Sequence, residues 1–115
     1  MSRIYAILIV VICIYALGHM AYTFFYEELK TAESMIWFFS AGLALLFNAF
    51  INILHLKFKD VLVKRITIAA NVVLLLFIAY MSLIVSEAQV FVLIVVLFAV
   101  LTCSGQLPVE QKAER

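Results

Sequence analysis

One apolar run, Met35 to Leu56 (MIWFFSAGLALLFNAFINILHL), limits what this chain can become. A helix needs about 20 apolar residues to cross a hydrocarbon core about 30 Å thick, and this run is that long. It also carries Asn48, Asn52 and His55, whose polar groups hydrocarbon cannot satisfy. At about 100° per residue, Trp37, Ala41, Ala44, Asn48, Asn52 and His55 fall in a stripe roughly 80° wide. Leu43, Leu46, Phe47, Phe50 and Ile53 cover the other sides. Such a helix has an inside, and the rest of the chain must supply its partners.

The rest of the chain is of the same kind. Hydrophobic residues make up 68% of the 115 and charged ones only 13%. Soluble domains are about half apolar and about a quarter charged. The composition predicts an all-α integral membrane protein: one domain, residues 1–115, a bundle of four antiparallel transmembrane helices with short links. Cys13 and Cys103 both lie in apolar surroundings, and neither has a C-x-x-C neighbour. They read as buried small hydrophobes rather than a disulfide or a metal pair.

The spans fall at about 4–26, 35–56, 66–85 and 88–104, with a polar tail at 105–115. Arg3 followed by an apolar run and Ala16-Leu17-Gly18 has the look of a cleavable signal, and cleavage would leave three spans. The run continues to Phe25, however, which reads as a span. In the link that follows, Thr31 or Ser34 is placed to cap the second helix. The next link, KFKDVLVKR, is basic, and the spacing of Phe58, Val61 and Leu62 predicts a helical turn lying on the headgroups. Ser86 and Gln89 have capping-box spacing before the fourth span. That span, with Val90, Val92, Ile94, Val95, Val96 and Val100, reads as a lipid-facing wall or a dimer seam, leaving the first three helices to form the polar interior. Gly105 is the expected C-cap residue, Pro108 stops continuation, and the tail should be loose.

Charge sets the orientation. Arg3, Lys57, Lys59, Lys64, Arg65, Lys112 and Arg115 fall on one side and Lys30 alone on the other. Basic segments stay cytoplasmic, so both termini are expected inside. Tyr22, Phe24, Phe25, Tyr26, Trp37, Phe38 and Tyr80 then form an outer aromatic belt, with Tyr5 near the inner face. His55, Lys57, Lys59, Lys64 and Arg65 are expected to contact lipid headgroups.

No Asp, Glu, Lys or Arg lies deep in any span. Proton-coupled exporters rely on an embedded carboxylate, and broken-helix transporters on Gly or Pro interruptions; both are missing. No nucleophile–base spacing supports hydrolysis, so the chain does not read as an enzyme. Two neutral polar groups remain. Asn48, Asn52, Thr67 and Asn71 all fall in the inner half and read as interhelical glue, with a polar permeation path as the alternative. Nearer the outer face, His19, Tyr22, Tyr26, Trp37 and Ser82 make a candidate ligand pocket, with Ala41 and Ala44 leaving room beside the imidazole and Glu27, Glu28 and Glu87 at its rim. His19 also has a purely structural reading, as a donor to a tyrosine or a carbonyl. A haem clamped by His19 and His55 within one protomer is ruled out by a separation of roughly 20 Å along the membrane normal.

The run Gly18-His19-x-x-Tyr22-Thr23, then Trp37-Phe38, Gly42-Leu43 and Asn48 or Asn52, resembles a pattern in small uncharacterised bacterial four-span membrane proteins. The resemblance covers the first half of the chain. It implies a multi-pass protein of the bacterial cytoplasmic membrane and pairs His19 with Trp37; it implies no activity and no cofactor.

Three functional classes follow. The first is a non-enzymatic structural or modulatory component of a membrane complex. The second is a small-molecule binder or permease using an outward-facing His19/Trp37 pocket. The third is a haem- or quinone-linked redox subunit. The expected partners are the lipid bilayer and a membrane protein or further copies of this chain; nothing points to nucleic acid.

Overall fold

In the computed structural model, residues 2–26 and 30–110 are described. They form four helices: α1 (Ser2–Tyr22), α2 (Ala32–Phe58), α3 (Val61–Ser82) and α4 (Ala88–Gln106). All four are long and apolar enough to cross a membrane. The chain is an all-helical, multi-pass type of membrane protein. Glu27, Glu28, Lys112 and Arg115, invoked above for the pocket rim and the orientation, lie outside the described residues.

The helix ends are set by local chemistry. Thr31 and Ser34 form a reciprocal capping box, the Thr31 hydroxyl accepting from Ser34 N at 3.0 Å and Ser34 Oγ from Thr31 N at 3.3 Å. This starts α2 before Met35. At its far end α2 runs past Leu56 to Phe58 and stops on Lys59, which adopts a left-handed φ of 53° and donates its N–H to the His55 carbonyl. Asp60 follows at once as the N-cap of α3, its carboxylate accepting from Leu62 N and Val63 N. The basic link therefore shrinks to two residues. Phe58 ends one helix, and Val61 and Leu62 begin the next, so no separate turn lies on the headgroups.

The other two forecasts for helix ends need correction. The Ser86/Gln89 box does not form; Glu87 is the N-cap residue of α4, without a side-chain cap, and its carboxylate accepts from Gln89 Nε2. Gly105 is inside α4, which ends on Leu107, whose N–H reaches the Cys103 carbonyl. The segment after α4 is not loose as far as Glu110. Leu107 is buried, its carbonyl accepts from Lys64 Nζ at 2.9 Å, and Glu110 N donates to the Lys59 carbonyl at 2.9 Å.

Consecutive helices pack side by side and α4 closes the ring against α1, whereas α1 and α3 do not meet. The core comprises Tyr5, Ile9, Ile12 and Ala16 of α1, Leu45 and Ala49 of α2, Ile78 of α3, and Val90, Leu93, Leu97, Val100 and Cys103 of α4. These positions recur every three or four residues, the spacing of one helix face. The fourth helix is thus no mere outer wall: Val90 and Val100 are buried, Ile94 and Val96 half-buried, and only Val92 and Val95 of its β-branched residues listed above are exposed. Tyr5 is fully buried rather than part of an interfacial belt. Gly42 of α2 lies directly against α1. A Cβ there would sit 2.5 Å from Met20 Cγ and 3.0 Å from the Ala16 carbonyl oxygen.

Candidate functional site

Four polar side chains from the first three helices meet one from the fourth inside the bundle. Asn52 and Asn71 pair reciprocally: Asn52 Nδ2 donates to Asn71 Oδ1 at 2.9 Å and Asn71 Nδ2 to Asn52 Oδ1 at 3.0 Å. Asn48 Nδ2 adds a second hydrogen bond to Asn71 Oδ1 at 2.8 Å. The Tyr5 hydroxyl donates to Asn52 Oδ1 at 2.6 Å, and Asn71 Nδ2 reaches Ser104 Oγ at 3.2 Å. The Ser104 hydroxyl in turn donates to the Leu101 carbonyl at 2.8 Å. Each amide oxygen of the Asn52–Asn71 pair accepts twice, and each of their nitrogens donates at least twice. The cluster is closed, and it ties α1, α2, α3 and α4 together at one level of the bundle. Thr67, one turn before Asn71 and fully buried, contributes a longer contact, 3.4 Å to the Ile51 carbonyl.

The spacing groups the three asparagines with Thr67; the asparagines bond one another, and Thr67 bonds the α2 backbone instead. Tyr5 and Ser104 fall outside that grouping. Tyr5 shares a face with Ile9 and Ile12, and Ser104 follows Leu97 and Val100 at helical spacing; those core stripes were the available signal.

His55 is the clearest correction among the assigned sites. It is not a headgroup contact: it is fully buried, its Nε2 lies 2.9 Å from the Ser104 carbonyl, and its ring meets Tyr5 edge-on with centroids 6.0 Å apart. A carbonyl can only accept, so Nε2 carries the proton. Nδ1 is buried and has no hydrogen-bond partner among the described residues. The sequence had placed His55 on the stripe of Asn48 and Asn52, and packing follows the stripe. Of the basic residues, Lys57 and Arg65 are exposed and Lys59 and Lys64 half-buried at the same end of the bundle.

At the opposite end, the candidate pocket is assembled only in part. The His19 ring stacks on Phe38, centroids 3.8 Å apart and planes 13° apart. Tyr22 stacks on Tyr26 at 5.0 Å, and both lie near Phe38, at 6.1 and 6.3 Å. Phe38, not Trp37, is the aromatic partner of His19. Trp37 is 69% exposed, one position further round the helix. Ser82 belongs to α3, which does not meet α1, and its hydroxyl donates to the Ala79 carbonyl at 2.6 Å. His19 Nε2 is buried without a hydrogen-bond partner among the described residues.

Among the described residues no three His, Cys, Asp or Glu side chains gather where a metal could bind. His19 packs near the start of α2 and His55 lies near its end, seventeen residues beyond Phe38, a distance of about 25 Å at 1.5 Å per residue. One protomer does not present both to one haem.

A lateral groove of about 680 Å³ lies between α2 and α3, with Ala44, Ala69 and Ala70 as its small residues and Phe47, Ile66, Val73 and Phe77 among its walls. Its polar residue, Asn48, is committed to Asn71. No family model matches the sequence, and no curated protein or solved structure is significantly similar to it.

Proposed function

We propose that this protein is a non-enzymatic structural or modulatory component of a membrane complex. It is a single antiparallel bundle with both termini and the basic α2–α3 link on the cytoplasmic side of a bacterial cell membrane. The start of α1 lies beside the end of α2, through Tyr5 and Asn52, and the end of α1 beside the start of α2, through His19 and Phe38, which supports the antiparallel arrangement. The basic excess on one side supports the orientation.

One observation carries the functional reading. The embedded amide side chains are spent on one another: Asn52 and Asn71 are saturated, and Tyr5, Asn48 and Ser104 are bound into the same cluster. A permeation path needs polar groups free to exchange partners with cargo, and nucleophilic catalysis needs a nucleophile beside a base. A closed amide cluster supplies neither. It fixes four helices rigidly and presents their apolar outer faces to whatever lies beside them. Mild crosslinking in native membranes followed by purification should yield the 13.0 kDa chain joined to a second protein. Recovery of the chain alone would refute this reading.

A second reading rests on His19. Its partnerless Nε2 beside Phe38, Tyr22 and Tyr26 suits a small ligand that brings a donor or acceptor to an aromatic surface. A ligand at this site would move the ¹⁵N resonance of His19 Nε2, and an unchanged resonance across a metabolite extract would dispose of it.

A further inference from the structure

We infer that the α2–α3 groove is a binding site for one anionic phospholipid, taken from the leaflet on the side of the basic link. The groove is open at the flank of the bundle and lined almost wholly by carbon, with Ala44, Ala69 and Ala70 too small to fill the space between the helices. Along α3 it runs from Ile66 to Phe77, about 16 Å at 1.5 Å per residue. That is the depth of one leaflet, half of a hydrocarbon core of about 30 Å. Its volume is about 680 Å³, and it lies open along the flank of the bundle rather than enclosed.

Charge decides the occupant. The groove's lower end, at Ile51 and Ile66, opens towards the α2–α3 link, where Lys57, Lys59, Lys64 and Arg65 lie within nine residues of sequence. Asp60 is the acidic residue of the link, and its carboxylate is spent on the N–H groups of Leu62 and Val63. Glu110, hydrogen-bonded through its backbone to Lys59, adds one further negative charge, and the balance stays positive. Lys64 Nζ donates to the Leu107 carbonyl, which leaves Lys57 and Arg65 as the exposed cations of the link. The opposite end of the bundle offers no comparable cluster: Lys30 is its one basic residue, and the described acidic residues there are Glu33 and Glu87. An apolar slot one leaflet deep that ends beside a basic link matches a phosphate headgroup above an acyl chain. A transmembrane helix of another protein would fill the slot without needing the charge.

The test is native mass spectrometry of the full chain, released from detergent after equilibration with equimolar phosphatidylglycerol and phosphatidylcholine. The expected result is one retained phosphatidylglycerol per protomer. Removing both cations with K57Q and R65Q should weaken that retention by roughly fivefold per residue and erase the preference over phosphatidylcholine. A69L adds bulk at an exposed groove position and should abolish retention with all charges intact; V95L, on the exposed face of α4, should change nothing. Equal retention of the two lipids by the native chain overturns the proposal. So does undiminished retention by A69L, or a homodimer that A69L disrupts, which would make the groove a seam between copies.

Discussion

Replacing Asn71 with leucine strikes the polar cluster at its most connected member. Asn71 accepts from Asn48 at 2.8 Å and Asn52 at 2.9 Å, and donates to Asn52 at 3.0 Å and Ser104 at 3.2 Å. Interhelical hydrogen bonds inside membranes average about 0.6 kcal/mol, so losing these four costs about 2.4 kcal/mol. Leucine cannot replace any of them, and Asn52 Oδ1 keeps only the Tyr5 hydroxyl. An amide left partly unsatisfied adds about 1 kcal/mol or more, which brings the total to about 3–4 kcal/mol. Thr67→Val supplies the contrast: it nearly preserves shape and removes one 3.4 Å contact, at a cost of about 0.6 kcal/mol or less. The assay is reversible unfolding in mixed micelles, with helix content followed by circular dichroism. Tyr5→Phe, alone and combined with Asn71→Leu, closes a double-mutant cycle. Both groups donate to Asn52 Oδ1, so their effects should depart from additivity by at least about 0.5 kcal/mol. If Asn71→Leu falls within about 0.6 kcal/mol of the native protein, or no further than Thr67→Val, the cluster does not hold the bundle together.

Three other outcomes follow from the packing. Gly42→Ala places a methyl against Met20, whose side chain can turn away, and against the Ala16 carbonyl, which cannot; it should destabilise by about 1–3 kcal/mol in the same unfolding assay. His55→Ala removes the bond to Ser104 and the edge contact with Tyr5, costing about 2–3 kcal/mol, whereas a His55 that merely touched headgroups would be replaceable without loss. In a background lacking Cys13 and Cys103, cysteines at Lys30 and Glu87 should react with an impermeant maleimide added outside intact cells, and one at Lys57 should react only after lysis; the reverse pattern overturns the orientation.

Sequence alone determined the solvent and the element count. Four long apolar stretches separated by short polar links admit helices that satisfy their own backbones in hydrocarbon, and little else. It also determined that Asn48, Asn52 and Asn71 would find one another, because an amide facing lipid is costly and their depths agree. Helix ends were legible where a side chain caps the backbone, as at Thr31. They were misread at Gly105, where the helix simply continued.

Tertiary structure decided which faces turn inward. The fourth helix is aliphatic on every side, and a packed interior is no more apolar than lipid. Hydropathy therefore could not separate buried Val90 and Val100 from exposed Val92 and Val95. The same blindness hid the recruitment of Tyr5 and Ser104 to the polar cluster and the choice of Phe38 over Trp37 beside His19. Adjacent residues on a helix point about 100° apart, and only the docking of α1 at Gly42 decides which of them meets the imidazole.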